Sequence, residues 1–160
     1  GRVIAIDPGY SNLGYAVGEK PNKLITCGTL YFKGKDRLRE IYLRISDLFK
    51  EHKPERVVIE DFRVYQEQNK GKHKTSMAIG VIVACAYEHG ARIELKAHNS
   101  WKAEFKRVYS VAWVRLPPEW KNGLRNGSEH SRDAVMMLLL QVGDLKAMLT
   151  GGKKNGGVNR

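Results

Sequence analysis

Residues 2–19 read RVIAIDPGYSNLGYAVGE: an apolar, β-branched run, a break at Asp7-Pro8-Gly9, then a second run of similar character. Short apolar runs bounded by Gly, Pro and Asn are strand and turn signals. A third run follows a Pro-Asn turn, so strands at 2–7, 13–19 and 23–33 are expected in an antiparallel meander. Asp7 breaks the pattern. It places a carboxylate at the end of a strand that otherwise reads as buried, and burying an unpaired carboxylate costs several kcal/mol. Its charge needs a partner.

Beyond the meander, helices alternate with strands. Asp36 is a predicted N-cap for a helix to about Glu51. There Leu38, Ile41, Tyr42, Ile45, Leu48 and Phe49 recur at helical spacing, with Arg37, Arg39, Arg44 and Lys50 off that face. Residues 55–62, ERVVIEDF, form a predicted fourth strand ending in acids. After a polar stretch over 63–75, a helix is expected from Ser76 to His89, closed by Gly90. It is apolar nearly all round, which predicts burial, and Gly80 and Ala84 would admit a second helix at close range. Residues 91–96 give a fifth strand and residues 128–148 a final helix, with a flexible basic tail over 150–160. This order predicts an α/β fold with a five-stranded mixed sheet flanked by helices.

At 160 residues the chain has room for one domain, expected over residues 1–149. Its longest apolar run, Met77 to Tyr87, is too short for a bilayer, so no membrane partner is expected. The first residues lack a signal-peptide pattern, and opening at Gly1 rather than Met suggests trimming. Cys27 and Cys85 lie in apolar segments and read as buried free thiols in the cytoplasm, not as metal ligands. With 28 Lys and Arg against 17 Asp and Glu, the net charge is +11. A basic surface with no special partner is the plain alternative. The excess, however, concentrates at residues 70–74, 101–107 and 121–132, with Trp101, Phe105, Trp113 and Trp120 in or near them. That pattern suits a nucleic acid.

Glu60 ends the fourth predicted strand much as Asp7 ends the first. In EHSRDAVMMLLL, His130 and Asp133 lie three residues apart on one helical face, and Asp133 borders the apolar run that follows. Taken singly, each has an ordinary explanation: a solvated acid, a helix-start histidine, an acid at the positive end of a helix. Taken together they form a set of oxygen donors with one imidazole. Such a set suits Mg²⁺ or Mn²⁺, and two such ions can activate water and stabilise the leaving oxygen in phosphodiester cleavage. A basic protein with an acidic metal pocket is what nuclease chemistry requires.

The blocks IAIDPGYSNLGYAV, VVIEDF and HSRDAVMMLLL, in that order, resemble the RuvC-type Holliday junction resolvases of the ribonuclease H-like superfamily. Asp-Pro-Gly followed by a small polar residue and Gly-Tyr is that family's opening pattern. An Asp or His three residues before Asp-Ala is its closing one. The resemblance covers roughly residues 2–145. It implies a ribonuclease H-like five-stranded mixed sheet, a homodimer, and paired nicking of four-way DNA junctions with about two Mg²⁺ or Mn²⁺ ions per active site. By position it assigns Asp7, Glu60, His130 and Asp133 to the metal site. Lys96 and Lys102 or Lys106 fall where the family places lysines near the scissile phosphate, with Lys102 expected to be catalytic. Phe62 and Tyr65 compete for the role of the aromatic that opens the junction. Lys70, Lys72, Lys74 and Arg125 are further expected DNA contacts. The implied setting is the cytoplasm, at the nucleoid of a bacterial or phage-infected cell.

Two departures point to a divergent member, viral ones included. Residues 66–80 lack the family's Gln-Ala-Arg-Gly segment, and AHNSWKAEF replaces its Gly-rich run after the fifth strand. Rival readings are another ribonuclease H-like nuclease acting on flaps, branched DNA or RNA, and a non-catalytic junction-binding module. The second has no use for clustered ligands. An actin-like ATPase would need a second phosphate loop and a second domain, for which the chain has no room.

Overall fold

In a computed structural model of the chain, the described residues are 1–61, 70–110 and 112–150, with only the backbone described for 70–72. Strands β1 (Arg2–Asp7), β2 (Asn12–Glu19) and β3 (Lys23–Tyr31) form the expected meander. Helix α1 (Arg37–His52) leads to β4 (Arg56–Asp61), and α2 (Lys70–Glu88) leads to β5 (Arg92–Ala97). Then follow α3 (His98–Tyr109), a short 3₁₀ turn (Trp113–Arg115), α4 (Pro118–Arg125) and α5 (Glu129–Val142). The sheet order is β3-β2-β1-β4-β5. The β1–β2 and β2–β3 pairs are antiparallel, and β4 runs parallel to both β1 and β5.

Strand alternation divides the apolar residues between two cores. Ile4, Ile6, Leu13, Val17, Val57 and Ile59 face a core shared with α1 and α2. Val3, Ala5, Ala16 and Val58 face a second core, filled by Trp101, Trp120, Val135, Met137 and Leu138 from α3, α4 and α5. Helix α1 matches its sequence pattern: Asp36 caps it, and Ile41, Ile45, Leu48 and Phe49 are buried. Cys85 is buried, Cys27 is half-buried, and both are free thiols. Among the described residues no helix is long and apolar enough to cross a membrane.

The structure departs from expectation in three places. Helix α2 reaches back to Lys70, ahead of the expected start at Ser76; its first turns are cationic and carry no apolar period by which the sequence could show them. It is also not buried all round. Ala78, Ile79, Ile82, Cys85 and Ala86 face the core, whereas Met77, Gly80, Ala84 and Tyr87 are exposed along one stripe. The final helix is interrupted at Gly143-Asp144 and resumes over residues 145–150. There the β2–β3 turn reaches across: the Asn22 N–H donates to the Val142 carbonyl (2.9 Å) and the Asp144 N–H donates to Asn22 Oδ1 (2.6 Å). Helices α3 and α4 occupy a stretch for which the sequence showed no clear element. Each buries only two residues on one face, Trp101 and Tyr109 in α3, Trp120 and Gly123 in α4. So sparse a face leaves little helical period to read.

Candidate active site

Parallel pairing of β1 with β4 sets Ile6 beside Ile59, so the next residues along, Asp7 at the end of β1 and Glu60 one residue before the end of β4, stand side by side. By alternation they continue the face of Ala5 and Val58, the face that α5 covers. Gly14 lies opposite Asp7 on β2. A Cβ at Gly14 would collide with the His130 carbonyl and the Ser131 amide, so only glycine lets the first turn of α5 settle onto this corner. Ser128 starts that turn, its Oγ accepting from the Ser131 N–H (3.1 Å) and contacting Thr29 Oγ1 (2.6 Å). Asp133, one turn on, then meets the two strand acids.

Asp7, Glu60 and Asp133 are 3%, 1% and 6% exposed, and each offers an oxygen within 4.8 Å of the others. This is an electrostatically costly arrangement. Burial, then the Asp7 charge, pushes the Glu60 carboxyl up to about 7, opposed by a hydrogen bond from His98. Burial and Asp7 likewise raise Asp133, opposed by Lys102, whose Nζ lies 3.8 Å from Asp133 Oδ2. His130 Nδ1 lies 2.8 Å from Asp7 Oδ2, and that bond raises the imidazole pKa despite burial. Asp7 Oδ1 and Glu60 Oε2 are buried with no hydrogen-bond partner among the described residues. Unsatisfied buried carboxylate oxygens, three acids together and an all-oxygen donor set fit a hard divalent cation.

The acids expected to converge do so, and His130 joins them through Asp7; among the described residues, the group able to offer mutually close donor atoms is the three carboxylates. Lys102 is at the site, beside Asp133. Lys96 instead turns along its own strand to Glu94 (3.5 Å). Lys106 and Arg125 are exposed, Arg125 stacking its guanidinium 5.1 Å from the Trp113 ring. Phe62 and Tyr65 lie outside the described residues, as do the side chains of Lys70 and Lys72. Trp101 and Trp120, two of the aromatics among the basic clusters, are fully buried core residues. His98, the residue sequence reasoning passed over, contacts Glu60 Oε1 through Nδ1. Its signal is alternation: Glu94, Lys96 and His98 share a face of β5 and its extension, and Lys96 lies opposite Glu60.

Immediately after Asp7, a pocket of about 470 Å³ is lined by residues 8–12 with Arg37, Lys74, Thr75 and His130. Arg37 and Lys74 both lie against the Tyr10 ring, at 5.2 and 5.3 Å from its centroid. No carboxylate is among its described lining residues. A cationic pocket thus adjoins an anionic one.

The crossover junction endodeoxyribonuclease RuvC family profile matches residues 3–106. A protein of that description from Nitratidesulfovibrio vulgaris (strain DP4) is 33% identical over 136 residues, covering 74% of this chain and 81% of the relative. The fold is similar to that of Thermus thermophilus RuvC in complex with Holliday junction substrate, with TM-score 0.67, 23% identity, and 86% and 90% of the two chains covered. It is also similar to the fowlpox virus resolvase in complex with Holliday junction DNA, with TM-score 0.57, 15% identity, and 88% and 97% covered. The profile match spans β1, β4 and β5, the strands that carry Asp7 and Glu60 and lead to His98, and with α5 closing the acidic corner this chain belongs to the crossover junction endodeoxyribonuclease RuvC family.

Proposed function

We propose that this chain resolves four-way DNA junctions by metal-dependent phosphodiester hydrolysis, within a nuclease unit spanning residues 1–149. The observation that carries the reading is the corner where three buried carboxylates, two of them with unpartnered oxygens, adjoin a cationic pocket. Asp7, Glu60 and Asp133 would hold the divalent ions, Mg²⁺ or Mn²⁺ and two per site, with His130 as a further ligand. When bound, such ions activate water and stabilise the leaving oxygen of an in-line displacement.

The chain's own groups do the rest. Arg37 and Lys74 can take a phosphate of the strand beside the site, and Tyr10 offers a ring face between them. Lys102, 3.8 Å from Asp133, brings a positive charge to the edge of the acids, where phosphate must approach. Lys106 and Arg125 extend the basic surface on the α3–α4 side. Phe62 or Tyr65, on the segment after β4, remains the candidate for opening the junction.

Paired incisions need two sites, and a homodimer supplies them. The exposed stripe Met77, Gly80, Ala84 and Tyr87 on α2 supports this, since a Cβ built at Gly80 meets nothing within 4 Å and a second helix could come close there. A junction-cutting enzyme would work on chromosomal or phage DNA, at the nucleoid. The test is incubation with a synthetic four-way junction, a flap, a linear duplex and an RNA hybrid, each with Mg²⁺ and with Mn²⁺. Symmetrical nicks confined to the four-way junction are expected. Preferential cutting of flaps or hybrids would assign another ribonuclease H-like activity, and binding without cutting in either metal would make the chain a junction-binding module.

A further inference from the structure

Strands β4 and β5 run parallel with Glu60 opposite Lys96. The lysine is not the partner of this acid: its Nζ lies 3.5 Å from Glu94, two residues back on the same face. Ala97 ends β5 and His98 begins α3 with no intervening loop. Alternation places His98 on the face of Lys96, and its Nδ1 contacts Glu60 Oε1. The ring is held from behind by Trp101, which is fully buried and meets it edge-on at 5.9 Å between centroids. Glu60 therefore has one oxygen engaged by a half-exposed ring that packs edge-on against a buried tryptophan. Its other oxygen, Oε2, is buried and unpartnered among the described residues.

We propose that His98 is a positioning residue of the metal site: its Nδ1–H grips one oxygen of Glu60 and so presents the other to the cation. The proposal rests on reading the three acids as a divalent-metal site. An ionised carboxylate only accepts hydrogen bonds, so the contact requires the proton on Nδ1. A carboxylate that swings freely must be ordered when the ion binds; one already held has less freedom to lose. Removing such an outer hydrogen bond from a ligating group typically weakens metal binding 10–100-fold. The same histidine opens the helix that carries Lys102 to Asp133, so the first two turns of α3 reach two of the three acids.

The experiment is a calorimetric Mn²⁺ titration of the full chain without DNA, comparing wild type with His98→Ala, His98→Asn and His98→Gln. Asn carries its amide nitrogen as many bonds from Cβ as His carries Nδ1, whereas Gln reaches one bond further, like Nε2. The expected result is that His98→Ala weakens Mn²⁺ about 10–100-fold, His98→Gln resembles it, and His98→Asn stays within about threefold of wild type. His98→Ala binding Mn²⁺ as tightly as wild type, or His98→Asn as weak as His98→Ala, would overturn the proposal. If His98→Ala does not fold, the Asn against Gln comparison decides alone. A wild-type chain that takes up no Mn²⁺ would overturn the metal-site reading along with it, whereas a tight wild type matched by His98→Ala would overturn this proposal only.

Discussion

His130 and Asp7, 123 residues apart in the sequence, meet through a 2.8 Å contact between Nδ1 and Oδ2. The contact ties the start of α5 to the end of β1 and leaves Asp7 Oδ1 unpartnered among the described residues. Because the bond favours imidazolium, the His130 pKa lies above its ordinary value of about 6.5. A histidine must be neutral to bind metal, so protons and metal compete here. Metal affinity should therefore fall as pH drops through this raised pKa. His130→Asp should keep substantial cleavage, shift preference from Mn²⁺ toward Mg²⁺ and remove this near-neutral limb. His130→Ala should be far more damaging. Cleavage rates against pH in both metals check this, and an alanine variant as active as wild type would take His130 out of the site.

Gly14 is the structural hinge of the same corner. In Gly14→Ala the new Cβ meets backbone, the His130 carbonyl and the Ser131 amide, which cannot move without lifting α5. The expected cost is about 1–3 kcal/mol of stability, a fall in Tm of roughly 3–10 °C. Mn²⁺ affinity should fall with it, because Asp133 rides on the displaced helix. Thermal melts and metal titration of the variant read both effects; an unchanged Tm would mean α5 is seated differently.

Metal-free stability should depend on pH in an unusual direction. Glu60, raised from 4.5 to about 7, and Asp133, also raised, keep protons in the folded state that the unfolded chain has already lost. The folded state then binds more protons, so stability falls as pH rises, for Glu60 through the window from 4.5 to about 7. His130 adds to the trend, since its raised pKa contributes stability below the unfolded value that is lost as pH rises through the folded one. Melts in chelator should show Tm falling between about pH 5 and about pH 8, with saturating Mn²⁺ offsetting the loss. A chelated protein that grows more stable across this window would contradict the account of the acids.

Junction affinity should be dominated by phosphate contacts. About seven contacts, from Arg37, Lys70, Lys72, Lys74, Lys102, Lys106 and Arg125, imply a log–log salt slope near −6. Arg37→Ala and Lys74→Ala should each flatten it by about 1, because both side chains line the pocket beside Asp7. Binding measured across a salt series checks this. A flat response would reduce the basic clusters to solvated surface.

What was legible in the sequence follows from where each signal lies. Asp7 and Glu60 each end an apolar run, and Asp133 precedes one, so local contrast marks all three. His98 has no such contrast. Its role depends on the β4–β5 register, which sets Lys96 opposite Glu60, and on Lys96 turning instead to Glu94. The interruption after Val142 was hidden for a similar reason: Asn22, far away in sequence, supplies the hydrogen bonds that stabilise it. The exposed stripe on α2 was legible in part: Gly80 and Ala84 marked a face able to admit a second helix, but only the placement of α1 and the sheet shows that Met77 and Tyr87 share it.

The central claim, that Asp7 is a metal-holding carboxylate in a junction-cutting site, is tested most directly by Asp7→Asn on a synthetic four-way junction with Mg²⁺ or Mn²⁺. The substitution keeps the shape and removes the charge. Cleavage should fall by orders of magnitude, while junction binding stays intact or tightens, because repulsion between the acids and phosphate is relieved. Cleavage by Asp7→Asn within a few-fold of wild type would contradict the account.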